Sequence, residues 1–224
     1  MKRTQEEWIG EYRRLMALWM HNGDLGQAHV QLTSGLHSNG FFNSRLVIGQ
    51  DDLLNEAASY LLQLLLQCGT RVETVIRVVA GPQTGATRLA QLIADQVPTY
   101  SNRVCAWVSP AKHESDGKKS MVLSEEERSR VTGELTLLCE DVCTTAGSIE
   151  LAAAAVNEAG GLILPYVLVL VNRSGLTHAN GRKIVALIDY PMQTWKAEDC
   201  PLCKGGSKAL HPPKDHWAEL NATR

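Results

Sequence analysis

The sequence lacks any apolar run approaching the ~20 residues that a membrane-spanning helix requires. It also lacks an excess of charge, since 22 basic and 24 acidic side chains leave a formal net charge of −2. Proteins whose main partner is nucleic acid usually carry a basic field, so this class is disfavoured. The first residues contain no apolar core typical of a signal peptide. We therefore expect a cytoplasmic protein with no membrane or nucleic-acid partner.

Several other signatures are missing. Six cysteines in 224 residues are too few and too scattered for a disulfide scaffold. No Gly-x-Gly-x-x-Gly follows the first predicted strand, and no Gly-Lys-Ser/Thr is present. These absences argue against a dinucleotide-binding oxidoreductase and a P-loop nucleotidase. The length suits one sizeable domain with a short appendage.

Strand and helix patterns alternate along the middle of the chain. Short apolar runs predict strands at 75–80, 104–108, 135–139, 164–171 and 184–188, and periodic runs predict helices at 87–96 and 149–158. Such alternation is typical of right-handed β-α-β crossovers around a parallel sheet. The sequence therefore predicts an α/β fold.

Two helices are predicted before this alternation. Thr4 and Glu7 form a capping box, and the helical spacing that follows extends to Trp19. Asp51 or Asp52 is predicted to cap a second helix.

That second helix is predicted to span 53–67, with Gly69 as its C′ residue. Residues 22–43 are polar and broken by glycines, so we expect loop or short strands. Residues 110–133 carry ten charged side chains without a period, and we predict a mobile loop there.

The third predicted strand leads into the clearest candidate site. Glu140 and Asp141 are expected to end it, and the small, hydroxyl-rich residues 144–148 then open a helix. Ligands of parallel sheets bind at the carboxyl ends of the strands. The amides of such a turn suit a phosphate, and the carboxylates suit sugar hydroxyls or a divalent metal. This pattern predicts a ribose 5-phosphate site, the alternative being an ordinary turn beside two exposed acids.

Four segments resemble one enzyme family. Residues 140–148 resemble the phosphoribosyl pyrophosphate (PRPP) signature of type I phosphoribosyltransferases. Three more resemble segments of orotate phosphoribosyltransferases: the amino-terminal motif (32–43), the pyrophosphate loop (81–86) and the base-reading strand end (169–175). The resemblance covers about residues 5–190, with the segments in family order.

The resemblance implies a three-layer fold with a central parallel sheet. The phosphoribosyltransferase domain would span residues 1–190, including an amino-terminal base-binding lid at about 1–50. A short, irregular, cysteine-containing tail would span 191–224. The implied function is magnesium-dependent transfer from PRPP to orotate, giving orotidine 5′-monophosphate and pyrophosphate, by a homodimer.

The resemblance also implies roles for particular residues. The implied PRPP site comprises Glu140, Asp141, Thr144, Thr145, Ala146, Gly147, Ser148, Gly81, Pro82, Thr84 and Gly85. The implied base site comprises Phe41, Phe42, Thr145 and Arg173, with Arg173 pairing with the orotate carboxylate. The implied catalytic set is Asp141, Glu140 and Lys112, of which Lys112 is chosen among several basic residues of 110–133.

Three positions depart from the family pattern. Thr33 and Gly85 stand where many orotate enzymes carry lysines, and Asn172 replaces the Asp before Arg173. These departures keep two alternatives open: a phosphoribosyltransferase for another nucleobase, and a non-catalytic regulator that binds PRPP.

The tail carries the pair Cys200-x-x-Cys203, followed by His211 and His216. Two thiolates and two imidazoles are enough for tetrahedral zinc. The spacing is shorter than in a zinc finger, so ordinary packing is favoured, with a zinc site or a redox pair as alternatives.

Overall fold

The computed structural model describes residues 3–68, 75–101, 103–211 and 213–222. The helices are α1 (Gln5–Arg14), α2 (Ser44–Ile48), α3 (Asp51–Leu66), α4 (Thr87–Gln96), α5 (Pro98–Ser101), α6 (Glu125–Val131), α7 (Gly147–Glu158), α8 (Pro201–Lys204) and α9 (Trp217–Asn221). The strands are β1 (Leu18–Met20), β2 (His29–Gln31), β3 (His37–Ser38), β4 (Gly40–Phe42), β5 (Val78–Ala80), β6 (Ala106–Val108), β7 (Ala111–Ser115), β8 (Lys118–Val122), β9 (Leu135–Cys143), β10 (Leu162–Asn172), β11 (His178–Ala179), β12 (Arg182–Asp189), β13 (Thr194–Trp195) and β14 (Ala209–Leu210). No helix within these ranges is long and apolar enough to cross a membrane.

The central sheet has the strand order β11-β12-β10-β9-β5-β6 in the described part of the chain. Its neighbours pair in parallel, except for the antiparallel edge pair β11–β12. β10 is almost continuously apolar and buried along residues 166–172, as expected for a parallel strand covered on both faces. The predicted α/β fold with a parallel sheet is confirmed.

Helices cover both faces of this sheet and complete three layers. On β9, Leu137 and Cys139 face the apolar cluster formed with α1, α3 and α4, whereas Leu138 faces the cluster formed with α6 and α7. Neighbouring residues of a strand point to opposite faces, which explains this division. The carboxyl end of β9 therefore emerges between the two helix layers.

The capping box of α1 is confirmed, but the predicted extension of this helix to Trp19 is wrong. The Thr4 hydroxyl accepts from the Glu7 amide, and the Glu7 carboxylate accepts from the Thr4 amide. α1 ends at Arg14, and Met16 adopts a left-handed φ of 51°. The chain therefore turns, and Trp19 lies in β1, which pairs antiparallel with β4.

The prediction that Asp51 or Asp52 caps the second helix is also wrong. The N-cap of α3 is Gln50, which makes no side-chain capping bond, and the two aspartates occupy the first turn. There their charges complement the helix dipole. The predicted C′ residue, Gly69, lies outside the described residues.

Residues 110–133 are not a loop, contrary to the prediction. β7 and β8 form an antiparallel hairpin closed by Asp116 and Gly117, whose φ values are 51° and 71°. This two-residue Asp-Gly turn is a strong hairpin signal. Ser124 and Glu127 then form a capping box that begins α6.

The tail is short, but it is tied to the lid. β13 pairs with β3 and β14 pairs with β2, giving a four-stranded sheet, β13-β3-β2-β14, which we name the lid–tail sheet. The indole Nε1 of buried Trp19 donates to the Leu220 carbonyl at 2.8 Å. The tail therefore covers the lid, although some 200 residues separate the two along the chain.

Candidate active site

Two adjoining clefts open at the carboxyl ends of β5 and β9. The first, of about 210 Å³, is lined by residues 143–149 together with Phe41, Phe42 and Arg173. The second, of about 300 Å³, is lined by the loop after β5 and by Lys112. Glu140 and Asp141 line both clefts.

The clefts bring together every residue that the resemblance implied for the PRPP, base and catalytic sites, with one exception. Gly81 lines neither cleft, because it is buried beneath the loop that follows β5. A Cβ there would lie 2.4 Å from the Ala86 carbonyl oxygen and 2.9 Å from the Cys139 sulfur. Gly81 therefore permits close packing under the site.

Glu140 and Asp141 differ in environment. β9 continues through both of them to Cys143, so the expectation that they end the strand is wrong. Glu140 is 5% exposed; its Oε1 accepts from the Asp141 amide at 3.0 Å, and its Oε2 has no partner among the described residues. Burial, reinforced by the Asp141 charge, raises the pKa of Glu140 well above its usual range. Asp141 is half-buried and is the more accessible carboxylate.

The turn between β9 and α7 presents backbone and hydroxyl donors to the first cleft. Ala146, the N-cap of α7, adopts a left-handed conformation with φ 61° and ψ 3°. Thr145, Gly147 and Ser148 are exposed on the cleft wall. The first amides of a helix have no intrahelical acceptor and carry a partial positive charge. This turn can therefore bind a phosphate.

The loop after β5 approaches Asp141 closely. A Cβ on Gly85 would lie 2.7 Å from both the Asp141 Cγ and Oδ2. A Cβ at position 85 would therefore require the Asp141 side chain to shift. Thr84 follows a cis peptide bond after Gln83 and lines the second cleft.

Arg173 is a buried cation at the end of β10. Its Nη1 donates to the Gly40 carbonyl at 2.9 Å and its Nη2 donates to the Ser38 hydroxyl, while its Nε has no partner among the described residues. Burial lowers the pKa of Arg173 to about 10. Within the described chain no carboxylate forms an ion pair with it. The guanidinium borders the first cleft and can attract an anionic ligand there.

Asn172 stabilises the strand end next to Arg173. Its amide nitrogen donates to the Leu176 carbonyl and to an Asp189 carboxylate oxygen, and its amide oxygen accepts from the Ser174 hydroxyl. An aspartate at position 172 would set a second carboxylate against Asp189. This contact is a local reason why asparagine, and not the family's aspartate, stands at position 172.

The two phenylalanines have different surroundings. Phe42 is 2% exposed and packs edge-on against Tyr12 and Tyr190, so most of its surface belongs to the core. Phe41 is half-buried, packs with its ring centroid 5.8 Å from that of Trp217 of the tail, and lines both clefts. Phe41 is the more accessible aromatic wall.

Three cleft residues come from the tail, namely Pro213, Lys214 and Asp215, and no local pattern in the sequence points to them. Lys214 lines both clefts and is half-buried. Burial lowers the pKa of Lys214, whereas the nearby Asp141 charge opposes this shift. Only the pairing of the tail with the lid places this cation beside the acidic pair.

The structure contradicts the alternative in which Cys200, Cys203, His211 and His216 together hold a zinc ion. The Nδ1 of His211 lies 3.1 Å from the Gln31 carbonyl, and the Nδ1 of His216 lies 3.0 Å from Glu219. Neither histidine lies close enough to Cys200 and Cys203 to share a metal ion with them. The short tail turns back onto the lid, so histidines close in sequence to the cysteines are not their neighbours in space.

Comparison with known proteins agrees with this geometry. The phosphoribosyl transferase domain model matches residues 49–197. The orotate phosphoribosyltransferase of Acidithiobacillus ferrooxidans is 27% identical over 198 residues, covering 88% of this chain and 94% of that protein. That of Heliobacterium modesticaldum is 29% identical over 199 residues, covering 89% and 96%.

Solved structures show the same fold. The orotate phosphoribosyltransferase of Mycobacterium tuberculosis, in complex with Fe(III) dicitrate, has a TM-score of 0.55 at 22% identity, covering 82% of this chain and 95% of that one. That of Aeropyrum pernix has a TM-score of 0.56 at 19% identity, covering 80% and 91%. The fold and the match over residues 49–197 show that the chain belongs to the type I phosphoribosyltransferases, a family of pentosyltransferase enzymes.

Proposed function

We propose that this enzyme transfers the phosphoribosyl group of PRPP to orotate, releasing pyrophosphate and forming orotidine 5′-monophosphate. The observation that carries the choice of base is Arg173, a buried cation with no acidic partner among the described residues, beside the first cleft. A planar carboxylate on the base is the complementary group for a guanidinium. The similar relatives carry the same name, orotate phosphoribosyltransferase.

In this proposal PRPP spans both clefts, and the base lies in the first. The turn of residues 144–148 binds the 5-phosphate, and Glu140 and Asp141 border the ribose hydroxyls. The loop after β5, with Pro82, Thr84 and Gly85, borders the leaving pyrophosphate. The base lies between Phe41 and Arg173. The protein therefore contributes mainly positioning and electrostatic stabilisation.

The acidic pair fits a magnesium ion bound together with PRPP. Magnesium prefers oxygen ligands and is often held by one or two carboxylates and the substrate phosphates. Asp141 is accessible from both clefts, and the buried Glu140 has an unpartnered oxygen. Asp141 would hold the ion, and Glu140 would accept from ribose. When bound, the ion stabilises the negative charge that develops on the pyrophosphate.

Lys112 supplies a further cation to the second cleft. It lies on β7 of the exposed hairpin and lines the cleft together with Thr84 and Asp141. We assign it the stabilisation of the leaving pyrophosphate. The homodimer remains a prediction from the family resemblance, and the cytoplasmic location remains a prediction from the sequence.

The test is pyrophosphate release from PRPP and magnesium, with orotate, uracil, hypoxanthine, adenine and guanine supplied separately. We expect turnover with orotate alone. Turnover with another base would contradict the assignment of Arg173 to a carboxylate. No pyrophosphate release with any base, together with measurable PRPP binding, would favour the non-catalytic regulator.

Two variants separate base recognition from support of the lid. Arg173→Ala removes both the guanidinium and its bonds to the lid. Ser38→Ala removes one of these bonds, together with the hydroxyl's bonds to the Gln193 carbonyl and the Gly40 amide, but keeps the cation. We expect Arg173→Ala to raise the KM for orotate about tenfold or more, with the Kd for PRPP unchanged and a smaller effect in Ser38→Ala. Equal losses of affinity for orotate and PRPP would contradict the assignment of Arg173 to base recognition.

A further inference from the structure

Four side chains from the lid and the tail converge away from the two clefts. They are His29 on β2, His37 on β3, Cys200 at the N-cap of α8, and Cys203 within α8. One nitrogen or sulfur atom from each lies within 4.8 Å of the corresponding atoms of the others. Two imidazoles and two thiols therefore surround one point, drawn from two segments more than 160 residues apart.

The distances between these atoms match a tetrahedral metal site. His29 Nε2 lies 3.0 Å from His37 Nδ1, 3.6 Å from Cys200 Sγ and 3.4 Å from Cys203 Sγ, and the His37 Nδ1–Cys203 Sγ distance is 3.2 Å. Zinc bonds of ~2.3 Å to sulfur and ~2.0–2.1 Å to nitrogen give tetrahedral edges of about 3.3–3.8 Å. The four distances given lie within about 0.4 Å of these edges, and the remaining two do not exceed 4.8 Å.

The hydrogen bonds around His29 orient its ring towards the cluster. The Ser207 hydroxyl donates its one proton to the Gln27 carbonyl at 2.6 Å, so it must accept from His29 Nδ1, 2.8 Å away. The proton of a neutral His29 is therefore on Nδ1, and Nε2 presents a lone pair. Metal-binding histidines are commonly held in this way by a hydrogen bond from the other ring nitrogen.

The burial of the four side chains and the free thiols of the two cysteines also suit a structural metal site. His29, His37 and Cys200 are buried and Cys203 is half-buried. Both cysteines are free thiols, not a disulfide. A set of two thiolates and two imidazoles leaves no open coordination position, which is typical of structural and not catalytic zinc.

We propose that His29, His37, Cys200 and Cys203 bind a zinc ion that fastens the tail to the lid. The ion joins the two sides of the lid–tail sheet, whose apolar core is limited to a few side chains. These are Trp19, Val30, Leu32, Leu210 and Leu220. Structural zinc contributes directly to folding free energy, so it would compensate for this limited apolar burial.

The first test is the metal content of the full-length untagged protein, purified without added metal. We expect about one zinc per chain in the wild type and close to none in Cys203→Ser. Cys68→Ser and His211→Asn are matched controls, because these residues lie outside the cluster, and both should keep the ion. Zinc retained in Cys203→Ser, or lost equally in Cys68→Ser, would overturn the proposal.

A second measurement on the wild type does not depend on the folding of a variant. Replacement by cobalt should give the visible and thiolate charge-transfer bands of a tetrahedral sulfur–nitrogen site. Chelation under reducing conditions should lower the Tm and release two reactive thiols without a change in Cys68 reactivity. A metal-free protein with unchanged Tm after chelation, or a Cys200–Cys203 disulfide in the purified protein, would refute the zinc site.

Discussion

The carboxyl end of β9 lines both clefts, and the lid–tail sheet carries segments that border them, but different interactions stabilise the two regions. β9 pairs with parallel strands on both sides, and its residues 136–140 are all buried between two helix layers. The strands of the lid–tail sheet are only two or three residues long, and they bury polar side chains such as His29, His37 and Ser207. Apolar burial dominates in the first region, and specific polar contacts between distant segments dominate in the second.

This difference divides the active site into two functional parts. In the proposed function the β9–α7 turn and the loop after β5 form a cradle for the phosphoribosyl group and the pyrophosphate, and we expect this cradle to be rigid. The lid and the tail contribute Phe41, Lys214 and the carbonyl and hydroxyl partners of Arg173. We expect changes in the cradle to lower the rate of reaction, and changes in the lid or tail to weaken substrate binding.

The largest effect is expected from Gly85→Ala in the cradle. The added Cβ would meet the Asp141 carboxylate at 2.7 Å and displace it, and a shift of about 1 Å in a catalytic group can reduce the rate about 100-fold. Steady-state kinetics should show a loss mainly in kcat. Gly10→Ala on α1 is the control, because a Cβ there meets nothing within 4 Å. Full activity of Gly85→Ala would show that the loop yields and that the cradle is not rigid.

A smaller effect is expected from Lys214→Met in the tail. This change keeps the length of the side chain but removes the cation beside Asp141, so the KM for PRPP should rise about tenfold with little change in kcat. Lys196→Met, at an exposed tail position, should leave both constants unchanged. A loss confined to kcat would contradict the division between the two regions and place the tail in the chemical step.

The last effect concerns stability, not activity, and tests the burial of Glu140. Because its native pKa is raised by burial, this carboxyl stabilises the fold at low pH and loses that contribution as pH rises through the native pKa. Glu140→Gln cannot ionise, so its free energy of unfolding relative to wild type should rise with pH above about 4.5, by up to about 1.4 kcal/mol per pH unit.

Denaturant unfolding of the ligand-free protein between about pH 5 and 9 measures this difference. Glu114→Gln, at an exposed position on the hairpin, should show no such dependence. A constant difference between Glu140→Gln and wild type would mean that Glu140 ionises normally in the native protein.

Local sequence patterns predicted the central sheet and the cradle well, because their determinants are close in sequence. The turn of residues 144–148 lies directly between its strand and its helix, and helix 87–96 has the predicted bounds. The hairpin turn Asp116–Gly117 and the Ser124 capping box are local too, but the density of charge around them obscured both patterns. These two elements could have been predicted from their turn and cap residues alone.

The lid–tail contacts could not be predicted in this way. The tail histidines His211 and His216 are nearest to the cysteines in sequence, whereas the spatial neighbours of Cys203 are His29 and His37. Strand pairing between β2 and β14 decides which histidines are close. The same pairing brings Lys214 into the clefts, and no spacing within the tail encodes it.

Because the lid pairs with the tail, the lid cannot complete its folding until the end of the chain has been synthesised. His29 and its partner Ser207 are 178 residues apart, so at ~5–20 residues per second a ribosome needs about 9–36 s to supply the second after the first. During that interval the strands of the central sheet are produced and can begin to pair, while β2 and β3 still lack the tail strands. A nascent chain therefore exposes unpaired lid edges to chaperones and to other nascent chains before its active site can close.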